Sequence, residues 1–282
     1  MTRRPIQLVV SYDGTDFGGW QRQKNARSVQ EELEKALATM HGHQVRLTGA
    51  GRTDAGVHAM GQVAGFFTDI ASIPADRFLP ALNKLLPRDI RILASREAPR
   101  DFHARFDASR RSYRYFLLCG GAQDAFSQRY AWCLSNQPSL RKLNAMASVI
   151  AGEHDFSAFA SAKDISVSKC RFIQDSSFWF EGGKLVYGIS GNAFLWRMVR
   201  SLVGTMIFYE PKCADEAAAA ACMADILASR DRKRAGPTAP PFGLFLWNVE
   251  YGPRTHGHKR RPIEGEEEGE PADAVGDDAA AE

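Results

Sequence analysis

Between residues 49 and 59 the chain reads Gly-Ala-Gly-Arg-Thr-Asp-Ala-Gly-Val-His-Ala. A guanidinium (Arg52), a carboxylate (Asp54) and an imidazole (His58) thus share one glycine-rich turn. Glycines there let the backbone bend sharply and approach a ligand closely. A phosphate cradle needs G-x-x-x-x-G-K-[ST] or G-x-G-x-x-G, and neither pattern occurs. Taken alone, such a loop is commonly a plain tight turn, with Asp54 capping the backbone and Arg52 pairing with it. The catalytic alternative is Asp54 as a single functional carboxylate tuned by an arginine.

Other constellations are weaker. His58, His103 and His154 lie far apart, and none falls in H-E-x-x-H or a comparable ligand spacing. No local signature supports a Ser/His/Asp or Cys/His set. Arg197 and Arg200 stand in the apolar stretch Phe194–Gly204, which has helical periodicity. On a helix Arg197 falls opposite the apolar stripe, and Arg200 lies at its flank, about 120° away. A flanking arginine reaches a partly buried carboxylate, although snorkelling over a packed helix places arginines the same way. In the alternating stretch Ser112–Phe116, Tyr113, Tyr115 and Leu117 share one face, and Arg114 and Phe116 the other. Tyrosines beside Arg110, Arg111 and Arg114 suit base stacking, and equally suit ordinary sheet packing.

These residues need a scaffold. Strand patterns at 7–12, 62–67, 90–94, 112–119, 171–180, 184–190 and 243–251 alternate with helix patterns at 75–86, 140–150, 194–209 and 216–229. A further helix opens at the capping box Ser28-Val29-Gln30-Glu31, and Glu181-Gly182-Gly183 marks a hairpin. Strands separated by helices, with hairpins among them, predict a mixed α+β fold with antiparallel pairing. The expected division is 1–108 for an N-terminal unit carrying the Asp54 loop and 109–251 for a C-terminal unit. From 252 to 282 a basic and then acidic tail, nearly devoid of apolar residues, predicts disorder.

The 282 residues are 44% hydrophobic, enough for one large core or two modest ones. No apolar run reaches the roughly 18–20 residues of a spanning helix. The cysteines are five, an odd number with no C-x-x-C pair, which argues against a disulfide framework or zinc knuckle. The expectation is a soluble, reduced, cytoplasmic protein without a membrane partner. Nine of the 33 acidic residues fall between Glu264 and Glu282, so residues 1–263 carry 36 basic against 24 acidic side chains, a net +12. Such an excess attracts a polyanion, or is merely a solvated surface.

Several blocks together carry a resemblance. In order they are Tyr12-Asp13-Gly14-Thr15, Gly19-Trp20-Gln21, Gly51 to Ala59, Phe102-His103-Ala104-Arg105, Tyr113-Arg114-Tyr115, Gly152 to Phe156, Met198-Val199-Arg200 and Gly243-Leu244. Over about residues 6–251 the chain resembles the TruA family of tRNA pseudouridine synthases. Phe245 stands where tyrosine is common in that family, and Trp196-Arg197 sits where its pattern varies.

The resemblance implies two α/β subdomains, each with a mainly antiparallel sheet, and an active-site cleft between them. It implies isomerisation of uridine to pseudouridine at positions 38, 39 and 40 of the tRNA anticodon arm, by a homodimer, with no cofactor and no nucleotide or metal. Asp54 is then the nucleophile, acting by direct attack on the sugar or through a glycal. Arg200 pairs with Asp54, and Tyr113 stacks on the target base with a part in proton movement. Arg52 fills the space the flipped base leaves, and Leu244 is an apolar wall of the pocket.

Overall fold

In the computed structural model, residues 3–120 and 124–253 are described. The tail expected to be disordered lies, from residue 254 onward, outside the described residues. The first strand, β1 (Arg4–Tyr12), turns Ile6, Leu8, Val10 and Tyr12 inward. Helix α1 (Val29–His41) starts where the capping box predicts, the Ser28 side chain accepting from the Glu31 amide. Its stripe Val29, Leu33, Ala36 and Leu37 is buried. Strands β2 (Leu47–Gly49) and β3 (His58–Thr68), helix α2 (Phe78–Leu85) and strand β4 (Ile90–Glu97) complete the N-terminal half. The C-terminal half holds β5 (Ala108–Cys119), β6 (Trp132–Leu134), α3 (Leu140–Val149), β7 (Gly152–Asp155), β8 (Cys170–Glu181) and β9 (Lys184–Gly191). It closes with α4 (Met198–Tyr209), α5 (Glu216–Ser229) and β10 (Leu244–Tyr251).

All ten strands join one mostly antiparallel sheet, ordered β4-β1-β3-β10-β5-β9-β8-β7, with β2 on β3 and β6 on β5. The architecture is mixed α+β, as the pattern of elements predicts. The seam is β10: it pairs parallel with β3 on one side (Phe245 opposite His58) and antiparallel with β5 on the other (Leu244 opposite Tyr115). Leu33, Leu37, Phe78 and Leu82 from the first two helices pack in the same core as Leu143, Met146, Leu202, Met206 and Met223 from the later ones. Among the described residues no helix is long and apolar enough to cross a membrane.

The structure differs from the sequence reading in local ways. The helix expected from Phe194 begins at Met198, because Arg197 takes the left-handed conformation (φ 62°), which a helix interior excludes. Arg197 therefore precedes the helix and shares no helical face with Arg200. The stretch 75–86 opens as a tight three-residue turn, Ala75–Arg77, before α2. The short strands β2, β6 and β7 have too few residues to show a period. At the predicted hairpin, Gly182 and Gly183 both take positive φ and connect β8 to β9.

Helix α4 runs hard against the segment leading into β10. At Gly204, a Cβ would lie 1.9 Å from the carbonyl oxygen of Pro237 and 2.9 Å from the amide nitrogen of Ala239. Both are backbone atoms, so neither can swing aside as a side chain would. Gly204→Ala should cost roughly 3 kcal/mol of stability, the upper part of the range for overpacking. Urea unfolding measures it, and a midpoint equal to wild type would show that the 236–239 segment gives way freely.

Candidate active site

The loop between β2 and β3 is held at almost every residue. Ala50 donates to Val63 O (2.7 Å), and the fully buried Gln62 side chain donates to Gly51 O (2.8 Å). Thr53 accepts from the Trp20 amide through its carbonyl (3.1 Å) and pairs with the Tyr12 hydroxyl through its own hydroxyl (2.8 Å). Val57 N returns to Asp54 O at 3.2 Å, and Gly56, at φ 74°, donates to Phe17 O. The backbone of the turn is thus satisfied by its neighbours, which frees the Asp54 carboxylate to face elsewhere.

Its partners come from the C-terminal half. Arg200 Nη1 donates to Asp54 Oδ2 at 2.9 Å, the two side chains being 11% and 18% exposed. Arg200 Nε donates to Ala239 O (2.8 Å), and Ala239 N donates back to Arg200 O (3.1 Å). The other carboxylate oxygen, Oδ1, accepts from the indole Nε1 of Trp196 at 2.9 Å. The tight-turn reading, in which Asp54 serves only its own loop, is therefore not what the fold builds. Both oxygens are engaged by residues 142 and 146 positions away.

Tyr113 sits on β5 between Ile189 of β9 and Leu246 of β10. It is 9% exposed, and its ring meets Phe194 edge-on at 5.1 Å. Burial pushes its hydroxyl up to about 12; the Arg111 charge opposes the shift and the Asp54 charge adds to it. Tyr113 is accordingly a neutral phenol at neutral pH, able to donate a proton but not to act as a phenolate base. Leu244 opens β10 opposite Tyr115, and is 5% exposed. The Tyr115 hydroxyl donates to Pro240 O (2.8 Å), fixing the turn just before Leu244. Arg52 is exposed on the loop's outer side, where its Nε donates to Gln21 Oε1 at 3.1 Å.

The remaining charged groups sort themselves by face. Arg114 points to the opposite side of β5, over the Trp247 ring at 4.1 Å and paired with Glu181. Arg111, on the Tyr113 face, is half-buried and spans between segments. It donates to Ala50 O (3.0 Å), Arg105 O (2.6 Å), Ala108 O (3.2 Å) and Asn192 O (2.7 Å). His58 is fully buried, accepts from Gly14 N through Nδ1 (2.9 Å) and stacks on Phe245 at 4.5 Å. Burial lowers its pKa, with Asp13 opposing, so the ring is neutral and structural. His103 accepts from the Arg105 and Phe106 amides, and His154 bonds to Ala151 O. Among the described residues no three His, Cys, Asp or Glu side chains are arranged to hold a metal ion.

Sequence reasoning missed two residues. Trp196 looks like one more apolar side chain in an apolar stretch, and only its place just before Met198-Val199-Arg200 hints at the site. Arg111 reads as one of three clustered arginines, and nothing local says that it turns inward.

A family model described as tRNA pseudouridine synthase matches residues 8–107 and 146–252. Curated relatives named tRNA pseudouridine synthase A are similar over most of their length. The one from Treponema denticola is 47% identical over 254 residues, covering 88% of this chain and 93% of its own. That of Treponema pallidum is 42% identical, covering 92% of each chain. The Halalkalibacterium halodurans protein is 44% identical, covering 85% and 90%. A solved Cbf5-Nop10-Gar1 complex aligns at 10% identity with a TM-score of 0.29, over 72% of this chain and 52% of that one, too weak a likeness to bear on fold or function. On the family model and these identities, the chain belongs to the tRNA pseudouridine synthase A (TruA) family, isomerases that act on tRNA.

Proposed function

We propose that Asp54 is the nucleophile of this tRNA pseudouridine synthase and that Arg200, Tyr113, Leu244 and Arg52 complete its site. The observation that carries this reading is the 2.9 Å pair between Asp54 and Arg200, joined across the two halves of the chain. In the reaction the C1′–N1 bond breaks, the uracil turns, and C1′ joins C5. The hydrogen of C5 is lost and N1 gains one, so no redox partner or group donor is consumed. The aspartate must be ionised, whether it attacks C1′ or assists elimination to a glycal. Arg200 supports the ionised form in a cleft that excludes much of the water.

Tyr113 offers a flat, neutral face for the base, and Leu244 closes the pocket beside it. Flipping a base out of its stack costs a few kcal/mol. Arg52, long, exposed and two residues from Asp54, is suited to fill the space the base vacates. The +12 body supplies attraction for the RNA backbone. Positions 38, 39 and 40 of the anticodon arm, a homodimer and a cytoplasmic location are carried by the resemblance alone.

Asp54→Asn keeps the shape and removes the charge. Pseudouridine mapping on unmodified tRNA transcript should then show turnover reduced by at least about 10³-fold, with tRNA affinity within about threefold of wild type. Activity within tenfold of wild type rejects Asp54 as nucleophile.

Arg200→Met leaves the carboxylate without its counter-charge and frees Ala239 O. It should lower kcat by about 100-fold or more and also reduce thermal stability, since breaking a buried pair leaves one charge uncompensated. Arg200→Lys restores charge but not the fork that reaches Asp54 and Ala239 together, so it should recover only part of kcat. A fully active Met variant would make Arg200 a packing residue.

A further inference from the structure

Asp54 has two hydrogen-bond donors, and they are chemically unlike. Arg200 brings charge to Oδ2; Trp196 brings a neutral indole N–H to Oδ1. One donor leaves a carboxylate free to rotate about its Cβ–Cγ bond. Two donors on different oxygens fix that torsion, while each oxygen keeps a second lone pair for chemistry. The fixing is useful only if the donors are themselves fixed. Arg200 is held by Ala239 O, as described.

Trp196 is held by a dedicated support. Its amide donates to Asp164 Oδ2 at 2.6 Å, and its carbonyl accepts from Ser161 N at 3.0 Å. Asp164 is 4% exposed, bonded to Lys169 Nζ (2.6 Å) and to the Ser166 amide (2.9 Å). Burial pushes the Asp164 carboxyl up, but the Lys169 ammonium and the Trp196 and Ser166 amides more than offset this and hold it at about 2. Asp164 therefore stays ionised through any assay pH, and its grip on Trp196 persists. Just beyond, Arg197 takes its left-handed turn with the guanidinium 5.4 Å from the Trp196 ring, so the chain enters α4 with the indole already aimed.

We propose that Trp196 is a positioning residue for Asp54, orienting the nucleophilic carboxylate through its indole N–H, with Asp164 as the strut that aims it. The inference rests on Asp54 being the nucleophile and adds how that group is presented to the sugar.

Trp196→Phe keeps most of the ring and deletes the N–H. With unmodified tRNA transcript it should lower kcat by about 10-fold to 100-fold, the weight of one hydrogen bond to a charged group. KM should stay within about twofold, because most of the ring remains. Trp196→His, which restores a ring N–H, should recover part of kcat. Asp164→Ala should lower kcat with Trp196 intact.

A Trp196→Phe enzyme with wild-type kcat overturns the proposal. So does a loss confined to KM, which would make Trp196 an RNA contact. Asp54→Asn assayed in parallel separates the two levels. If it is inactive while Trp196→Phe is unimpaired, only the positioning role fails; if it is active, the reading of the site fails.

Discussion

The Asp54–Arg200 pair sets the terms for the rest of the molecule. A carboxylate and a guanidinium, each less than one-fifth exposed, are costly to withdraw from water unless both are held and fully bonded. The fold meets this by anchoring each on backbone. Asp54 is carried by a turn whose peptide groups are satisfied by β3, Arg111 and the Phe17–Trp20 segment. Arg200 is clamped by two reciprocal hydrogen bonds to Ala239. Moving either partner by an ångström would leave a charge buried without its complement.

Strand order explains how residues 146 positions apart meet. Strands β3 and β10 run parallel, with Phe245 opposite His58, so the segments leading into them lie at the same end of the sheet. One segment carries Asp54, the other Ala239 and Pro240, with Leu244 opening the strand that follows. Because β5 runs antiparallel beside β10, Tyr113 and Tyr115 fall against Leu246 and Leu244 near that same end. A parallel pair cannot be closed by a hairpin; it needs a long crossover. Here the crossover is everything between β3 and β10, which lets one seam gather an aspartate, an arginine, a tyrosine and a leucine from four distant stretches.

Much of this was legible in the chain. The strand alternation from Tyr113 to Leu117, the capping box at Ser28 and the hairpin glycines each record a local rule, and each holds. The glycine-rich turn offered Asp54 beside a plain tight-turn reading, the flank position allowed Arg200 a carboxylate or mere snorkelling, and the resemblance chose between them. What local rules could not show were pairings decided at a distance. Nothing near Trp196 says that its indole reaches a carboxylate 142 residues earlier. Likewise nothing near Arg111 says that it binds four carbonyls instead of an acid. The late start of α4 was hidden for another reason. Its hydrophobic period continues back through Phe194, while a single left-handed residue at Arg197 sets the boundary.

Arg111 shows how the fold holds a cation that has no acid of its own. Its guanidinium is buried, and burial lowers its pKa, yet carbonyls of Ala50, Arg105, Ala108 and Asn192 take up its donors. An aspartate in their place would neutralise it locally. Carbonyl dipoles satisfy the guanidinium without cancelling its charge. Its charge tempers the upward push on the Tyr113 hydroxyl. The same side chain fastens the Asp54 loop, through Ala50, to the ends of β5 and β9. Positioning and electrostatics are thus served by one residue, and they cannot be separated by substitution without moving the loop itself.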